Sequence, residues 1–226
     1  MPLMHHIQRK ILSRLMHAQT LGYAQMRPER VESNHFAYHL DQLLREGLVA
    51  KQDRSYALTP KGLALADRVS HQNMTLRTQP HIVTSIYITN EAGEQLMYQH
   101  LFQPYLDLYG PPQGRLHYDE HITEAAAREL TEKTGLTGIP LSHRGMVYIH
   151  ATRADETVSK ILAHIFTGTA QGRPPLADPS EQGICSWIRP DEIAPVDCMP
   201  GFSEVRDLLS APDNGLFFAE VETAMA

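Results

Sequence analysis

The sequence has only two cysteines among its 226 residues, Cys185 and Cys198. Their spacing matches neither a zinc motif nor a disulfide framework, so we expect buried, small apolar residues in a reducing compartment. No apolar run approaches the roughly 18 residues that a membrane helix needs, and the N-terminus becomes charged before a signal-peptide core could form. We therefore expect a cytoplasmic protein with no membrane partner.

Extremes of composition are also missing. Hydrophobic residues make up 42% of the chain, charged residues 20% and aromatic residues 7%, as is usual for soluble globular proteins. These values exclude a disordered or collagen-like chain. At roughly 100 to 200 residues per domain, the length predicts one large domain or two small ones.

The N-terminal part of the chain has few acidic residues, and the rest has few basic ones. Residues 1–80 carry 11 Lys and Arg against 6 Asp and Glu, a net charge of +5, whereas the remainder carries 9 against 20, a net charge of −11. The change coincides with a polar stretch that ends at Pro80. We therefore predict a first domain at residues 1–70, a linker at 71–80 and a second domain at 81–226.

The first domain shows helical periodicity interrupted by a short strand pair. A first amphipathic helix is predicted from about His5 to His17 by the spacing of Ile7, Ile11, Leu12 and Leu15. The later elements are a short segment at Tyr23–Met26, a helix capped by Ser33 or Asn34 and ended by Gly47, strands at Leu48–Lys51 and Ser55–Leu58, and a helix capped by Thr59 that runs from Pro60 to about Val69.

This order of elements resembles the winged helix-turn-helix family, and the resemblance is carried by HFAYHLDQLLREGLVAKQDRSYALTPKGLALAD, residues 35–67. It implies a third helix in the major groove of duplex DNA and a hairpin wing on the phosphate backbone. The implied DNA-binding residues are His35, Tyr38, Gln42, Arg45, Lys51 and Arg54. A winged helix that reads symmetric DNA favours a homodimer. Protein docking or dimerisation remains the alternative, and Asp41 on the same face counts against tight DNA binding.

Strand-like segments surround an acidic helix in the second domain. Strand pairs are predicted at Ile82–Thr89 with Gln95–Leu101 and at Met146–Thr152 with Thr157–Thr167, and a late strand ends at Trp187 and Ile188. Between the pairs, a helix capped by Thr123 is ended by Gly135.

Carboxylates cluster on this helix. Glu129 and Glu132 share one helix face, and Glu120 lies in the preceding loop. Clustered carboxylate oxygens suit Mg2+ or Mn2+. The alternative is a solvated acidic face.

The segment GRLHYDEHITEAAARELTEKTGL, residues 114–136, resembles the Nudix box G-x5-E-x7-R-E-U-x-E-E-x-G-U, where U is apolar. Every specified position matches except the second glutamate of the E-E pair, which is Lys133. The resemblance extends over about Ile82 to Asp197. It implies an α/β/α sandwich with a mixed sheet, so that the whole chain is expected to be an α+β protein in which a winged helix-turn-helix precedes a Nudix domain.

The Nudix resemblance also implies an activity, the metal-dependent hydrolysis of a nucleoside diphosphate linked to another group. Glu129 and Glu132 are the implied metal ligands for Mg2+ or Mn2+, with Gly114 letting the backbone approach the ion. Glu120 is an auxiliary carboxylate, and Arg128 orients a glutamate. The loop Ala170–Gly183 is a candidate lid over the substrate, and Glu181 in it is a candidate catalytic residue.

Two functions remain open. The retained glutamates favour a hydrolase, weakened by Lys133, with an appended DNA-binding domain. Lys133 and the basic first domain favour a transcriptional regulator whose Nudix domain senses a nucleotide-like ligand. Three aromatic residues after the second predicted strand of the domain, Phe102, Tyr105 and Tyr109, are suited either to stacking a base or to a core.

Overall fold

The computed structural model describes residues 4–70, 76–211 and 215–225. The chain divides into two compact units, Met1–Thr78 and Gln79–Ala226. Residues 71–75 of the predicted linker lie outside the described residues. No helix in the described part of the chain combines the length and the apolar character needed to cross a membrane.

The first unit is a small helical unit with a three-stranded sheet. Its elements are α1 (His6–Leu15), β1 (Leu21–Gly22), α2 (Tyr23–Met26), α3 (Ser33–Arg45), β2 (Val49–Gln52), β3 (Ser55–Leu58) and α4 (Pro60–Arg68). The antiparallel sheet has the order β1-β3-β2. The core is built by the residues whose spacing predicted the helices, among them Ile11, Leu12, Phe36 and Leu43.

The N-cap residue is predicted correctly for α4 and wrongly for α3. The hydroxyl of Thr59 accepts a hydrogen bond from the backbone N–H of Gly62 at 3.0 Å, so Thr59 caps α4 as expected. Ser33 instead lies inside α3, and Glu32 is its N-cap residue without a side-chain bond. Both Glu32 and Ser33 are exposed, and water can satisfy the first-turn N–H groups there without a side-chain cap.

The second unit is a mixed sheet with helices. Its elements are β4 (His81–Asn90), β5 (Gln95–His100), β6 (Tyr109–Gly110), β7 (Gln113–Arg115), α5 (Ile122–Thr134), β8 (Ser142–Arg153), β9 (Glu156–Ala170), β10 (Gly183–Ile188), two 3-10 turns (Pro190–Glu192 and Pro195–Asp197), α6 (Phe202–Ser210) and β11 (Phe217–Ala224). The sheet order is β10-β5-β4-β9-β8-β11, with β6 beside β5 and β7 beside β4. The β4–β9 and β8–β11 pairs are parallel, and the other pairs are antiparallel.

The sheet has a hydrophobic core on each face. On β4, Val83 and Tyr87 belong to one core while Ile86 and Ile88 belong to the other. Side chains of a strand alternate between the two faces, so the cores lie on opposite faces of the sheet. Helix α6 contributes Phe202 to the first core and α5 contributes Leu130, among others, to the second. The sheet is therefore covered by a helix on each face.

Two details of the second unit differ from the sequence predictions. The strands predicted as a hairpin, β4 and β5, are paired at Thr89 and Gln95, because β7 pairs with the earlier part of β4, at Val83 to Ser85. Helix α5 begins at Ile122 with His121 as its N-cap residue, so Thr123 is not the cap. The Glu124 carboxylate accepts a hydrogen bond from the His121 N–H at 3.1 Å, which stabilises this earlier start.

The two cysteines are free and half-buried rather than fully buried. Cys185 packs against the core beneath α5 and Cys198 against the core beneath α6. The thiol of Cys185 donates a hydrogen bond to the carbonyl oxygen of Lys133 at 3.3 Å. Burial raises the pKa of this thiol to about 12, so it is protonated near neutral pH.

Candidate active site

Gly114 and Glu129 form the innermost part of the acidic segment. Strand β7 pairs with β4 and brings Gly114 under α5, where the Glu129 side chain is 92% buried. A Cβ atom at position 114 would lie 1.7 Å from the carboxylate carbon of Glu129. Glycine is thus required for the close approach of this carboxylate to the backbone. The Nudix resemblance implies a different reason for this glycine, the approach of the backbone to a metal ion.

Arg128 holds the three box glutamates. Its Nε and Nη2 donate to the two oxygens of Glu120 at 2.8 and 2.7 Å. Its Nη1 donates to Glu129 at 2.7 Å and to Glu132 at 3.1 Å. The loop carboxylate and the two helix carboxylates are therefore fixed by one planar guanidinium.

These contacts change the ionisation of Glu120. The hydrogen bonds from Arg128 lower the pKa of this carboxyl to about 2, and the backbone N–H of His117, which donates to Glu120 at 2.6 Å, acts in the same direction. The glutamates in turn raise the pKa of Arg128. Glu120 is therefore a very weak base at neutral pH.

A cavity of about 640 Å³ opens beside these residues. Among the sequence-predicted residues, it is lined by Gly114, Arg128, Glu129 and Glu132. Glu120 lies behind Arg128 and is not part of the lining. Glu181 is exposed and also does not line the cavity, although its neighbours Ser180 and Gln182 do.

The donor set restricts the kind of cation that fits. Arg128 uses one oxygen of Glu129 and one of Glu132, and each carboxylate has a second oxygen that Arg128 does not use. In the described ranges, no group of three or more His, Cys, Asp or Glu side chains is arranged to hold a metal ion. Two carboxylates without further protein ligands fit Mg2+, which keeps waters and binds substrate phosphates, and do not fit a fully protein-coordinated ion such as structural zinc.

Lys133 lies in the cavity wall. Its Nζ is 4.7 Å from the centre of the Tyr98 ring, and the residue is half-buried. The i,i+4 spacing would allow Lys133 an ion pair with Glu129, but the described residues show Glu129 paired with Arg128 instead. The ammonium group is held at the cavity instead of turning into solvent.

The loop predicted as a lid is tied to the rest of the unit. The guanidinium of Arg173 forms an ion pair with Glu94, which lowers the pKa of that carboxyl to about 2. The backbone N–H of Gly172 donates to Glu91 at 2.8 Å, and that of Ala177 donates to the carbonyl oxygen of Thr134 at 2.8 Å. Beyond these contacts, Asp178 lines the cavity and supplies a carboxylate that the sequence analysis did not single out.

For three aromatic residues, the sequence left open whether they stack a base or belong to a core, and the structure gives them different positions. Tyr109 packs against the core beneath α6, whereas Phe102 and Tyr105 line the cavity. His100 also lines the cavity and was missed. The alternation of β5 would have indicated it, because Leu96, which lies beneath α5, shares a face of the sheet with the residues two and four positions later.

The predicted DNA-binding residues lie on α3 and on the β2–β3 hairpin. His35, Tyr38 and Arg45 are exposed on α3, and Gln42 is half-exposed. On the hairpin, Lys51 and Arg54 are exposed. Arg45 forms an ion pair with Asp41 at 2.9 Å.

Comparison with known proteins finds a matching family model and a relative of the same family for the second unit. The family model described as NUDIX domain matches residues 79–206. The uncharacterized Nudix hydrolase YfcD of Shigella flexneri is 25% identical over 130 residues, which are 56% of this chain and 68% of that protein.

Two solved structures have the same fold. The MutT protein from Bacillus halodurans has a TM-score of 0.52 and 20% identity, over 64% of this chain and 90% of that chain. The NUDIX domain of Shewanella oneidensis NrtR, complexed with ADP ribose, has a TM-score of 0.51 and 14% identity, over 67% of this chain and 100% of that chain.

The contact between Gly114 and Glu129 gives a stability prediction. We expect Gly114→Ala to lower the free energy of unfolding by about 1 to 3 kcal/mol, because the added methyl group displaces a buried carboxylate. Chemical denaturation of the full chain measures this loss. In a Glu129→Ala background the collision is removed, so the same substitution should cost much less. Equal costs in the two backgrounds would contradict this account.

Proposed function

Because the chain belongs to the Nudix domain family, we propose that its second unit is a metal-dependent hydrolase of a nucleoside diphosphate linked to another group. The observation that carries the proposal is the position of Glu129, which is buried against Gly114 and faces the same cavity as Glu132. Burying a carboxylate is costly unless it is paired or binds a cation. Arg128 pairs one of its oxygens, and a divalent cation can use the other.

Glu129 and Glu132 are the proposed holders of Mg2+ or Mn2+, which would neutralise phosphate oxygens and lower the pKa of the attacking water. Arg128 keeps both carboxylates in place, so that they need not reorganise when the substrate arrives. The water attacks a phosphorus of the diphosphate, and the bond from phosphorus to the bridging oxygen breaks. Lys133 and Arg115 line the cavity and carry positive charge that can contact the substrate phosphates.

The proton of the attacking water needs an acceptor other than Glu120. A general base works best when its pKa lies near the operating pH, and the pKa of Glu120 is far below that. We assign Glu120 the role of anchoring Arg128. Asp178, which lines the cavity and is exposed, is the proposed acceptor, and Glu181 is a further candidate if the loop moves.

The surface of the first unit favours a second function, binding of duplex DNA. The outer face of α3 exposes Tyr38 and Arg45, and the hairpin exposes the two basic residues Lys51 and Arg54, which suit phosphate. If this surface binds DNA, the protein is a regulator in which the Nudix domain acts as a sensor or a catalyst. ADP ribose, which the NrtR domain binds, belongs among the ligands to be screened.

The first prediction concerns the metal. Added Mg2+ or Mn2+ should raise the melting temperature of the full chain, because a ligand that binds the native state stabilises it by mass action. Glu129→Gln should remove most of this rise together with any phosphate release from nucleotide sugars, dinucleotides and nucleoside triphosphates. Glu220→Gln, at an exposed site on β11 outside the cavity, serves as the control for a lost carboxylate. An unchanged metal response in Glu129→Gln would place the ligands elsewhere.

The second prediction concerns Lys133. The ammonium group lies in the cavity one turn after Glu129, where it repels a cation, so the wild-type protein should need high metal concentrations. Lys133→Glu should increase hydrolysis at low Mg2+. Lys160→Glu, with the same charge change at an exposed site outside the cavity, should not. Equal activity of wild type and Lys133→Glu throughout a metal titration would contradict the prediction, and inactivity of both with saturable nucleotide binding would favour the sensor.

The third prediction concerns DNA. The full-length protein should bind duplex DNA with an affinity that falls steeply with salt, because phosphate contacts release counterions. Arg54→Ala should reduce the salt slope by about 1, as expected for one lost phosphate contact, and Arg45→Ala should weaken binding. Asp41→Ala should strengthen it by releasing Arg45. Lys10→Ala removes a charge outside this surface and is the control. Absence of binding to genomic fragments at low salt would favour docking or dimerisation.

A further inference from the structure

His100 is a buried polar side chain without a partner. It ends β5, is 5% exposed and lines the cavity that contains Glu129 and Glu132. Within the described part of the chain, neither ring nitrogen has a hydrogen-bond partner. Buried polar atoms are nearly always hydrogen-bonded, and an unpaired one lowers stability. A side chain kept at this cost, at the wall of a cavity, points to a ligand.

The surroundings of His100 are aromatic. The ring centres of Tyr98, Phe102 and Tyr105 lie 5.0, 5.7 and 5.9 Å from that of His100, all in edge-on or steeply tilted arrangements. Phe102 is 46% exposed, so part of its ring surface is open to a ligand. This part of the cavity therefore combines ring surfaces with two buried ring nitrogens that have no hydrogen-bond partner.

His100 is neutral in this environment. Burial, and secondarily the positive charge of Lys133, lowers its pKa to about 4. A neutral imidazole has one nitrogen that donates and one that accepts. It can therefore satisfy a ligand edge that carries both an acceptor and a donor.

Lys133 connects this aromatic part to the box carboxylates. It follows Glu129 by one helical turn, and its ammonium group lies over the ring of Tyr98, which is two residues before His100 on β5. A substrate whose phosphates contact Lys133 and the cation at Glu129 would thus place its adjoining group against the aromatic wall.

We propose that His100, with the rings of Tyr98, Phe102 and Tyr105, forms a specificity subsite for an uncharged planar heterocycle that has a hydrogen-bond donor and an acceptor on one edge. The subsite deepens the proposed function, since the ring would belong to the substrate cleaved at the box. The heterocycle is either the base of the nucleoside or a ring in the linked group.

The test separates ring binding from phosphate binding. The full-length protein is labelled with 15N-histidine, and the imidazole signals are followed without metal. One set of probes is adenosine, guanosine, cytidine and uridine, a second is nicotinamide and riboflavin, and a third is inorganic pyrophosphate. At least one heterocycle should shift the His100 imidazole signals, which are assigned by their loss in His100→Phe. The responding set identifies the source of the ring.

The variants then measure the contribution of His100. His100→Phe keeps an aromatic side chain and removes both polar atoms, so the affinity for the responding heterocycle should fall by about tenfold or more. The affinity for pyrophosphate should not change. His100→Gln keeps a donor and an acceptor and should retain part of the binding. His150→Phe, at a strand histidine outside the cavity, is the matched control.

Three results would overturn the subsite: no shift of a wild-type His100 signal with any heterocycle, binding that survives in His100→Phe, or an equal loss in His150→Phe. The first of these applies even if His100→Phe does not fold, because the wild-type His100 signals can then be assigned by their loss in His100→Gln. None of these results bears on metal binding or hydrolysis at Glu129. Conversely, heterocycle binding through His100 in a protein without hydrolysis would uphold the subsite and refute the hydrolase.

Discussion

The guanidinium of Arg128 is the group on which the acidic segment depends. Three carboxylates, one from a loop and two from α5, lie within hydrogen-bond distance of it. Without a cation between them, these like charges would repel one another. The flat, five-donor geometry of arginine fixes the loop and the helix at once, which the single ammonium group of a lysine would not achieve. The loop before α5 is thereby attached to the helix through an ion pair instead of through a core contact.

Arg128 and Lys133 show how the partners of a cation decide its role. Both belong to the same helix and both line the cavity. Arg128 is saturated by glutamates and has a structural task, whereas the ammonium group of Lys133 lies over the face of the Tyr98 ring. Cation–π contact is weaker than a charge-assisted hydrogen bond. The lysine charge is consequently available to a substrate, while the arginine charge is not.

The sequence predicted the parts of the molecule that local rules govern. Helical spacing located α1 and α3, and the capping preference of threonine located the start of α4 at Thr59. The motif spacing placed Glu129 and Glu132 on one face of α5. Strand pairing was less accessible, because β4 and β9 are parallel neighbours although their first residues are 75 positions apart in sequence. The contact of Gly114 with Glu129 and the lack of a hydrogen-bond partner at His100 depend on packing between segments that are distant in sequence. No local sequence pattern predicts either feature.

The anchoring of the loop after β9 has a consequence for how the protein can change in evolution. Its ties to other elements are concentrated in residues 172–177, through Arg173 to Glu94 and through Ala177 to the end of α5. The residues that face the cavity, Asp178, Ser180 and Gln182, follow these ties. Substitutions of Asp178 therefore alter the cavity wall without removing these contacts, whereas the Oγ of Ser180 accepts hydrogen bonds from the backbone N–H groups of Gln182 and Gly183 and holds the turn. In a duplicated copy of this gene, the set of ligands that fit the cavity can change there while the sheet and the acidic helix stay intact.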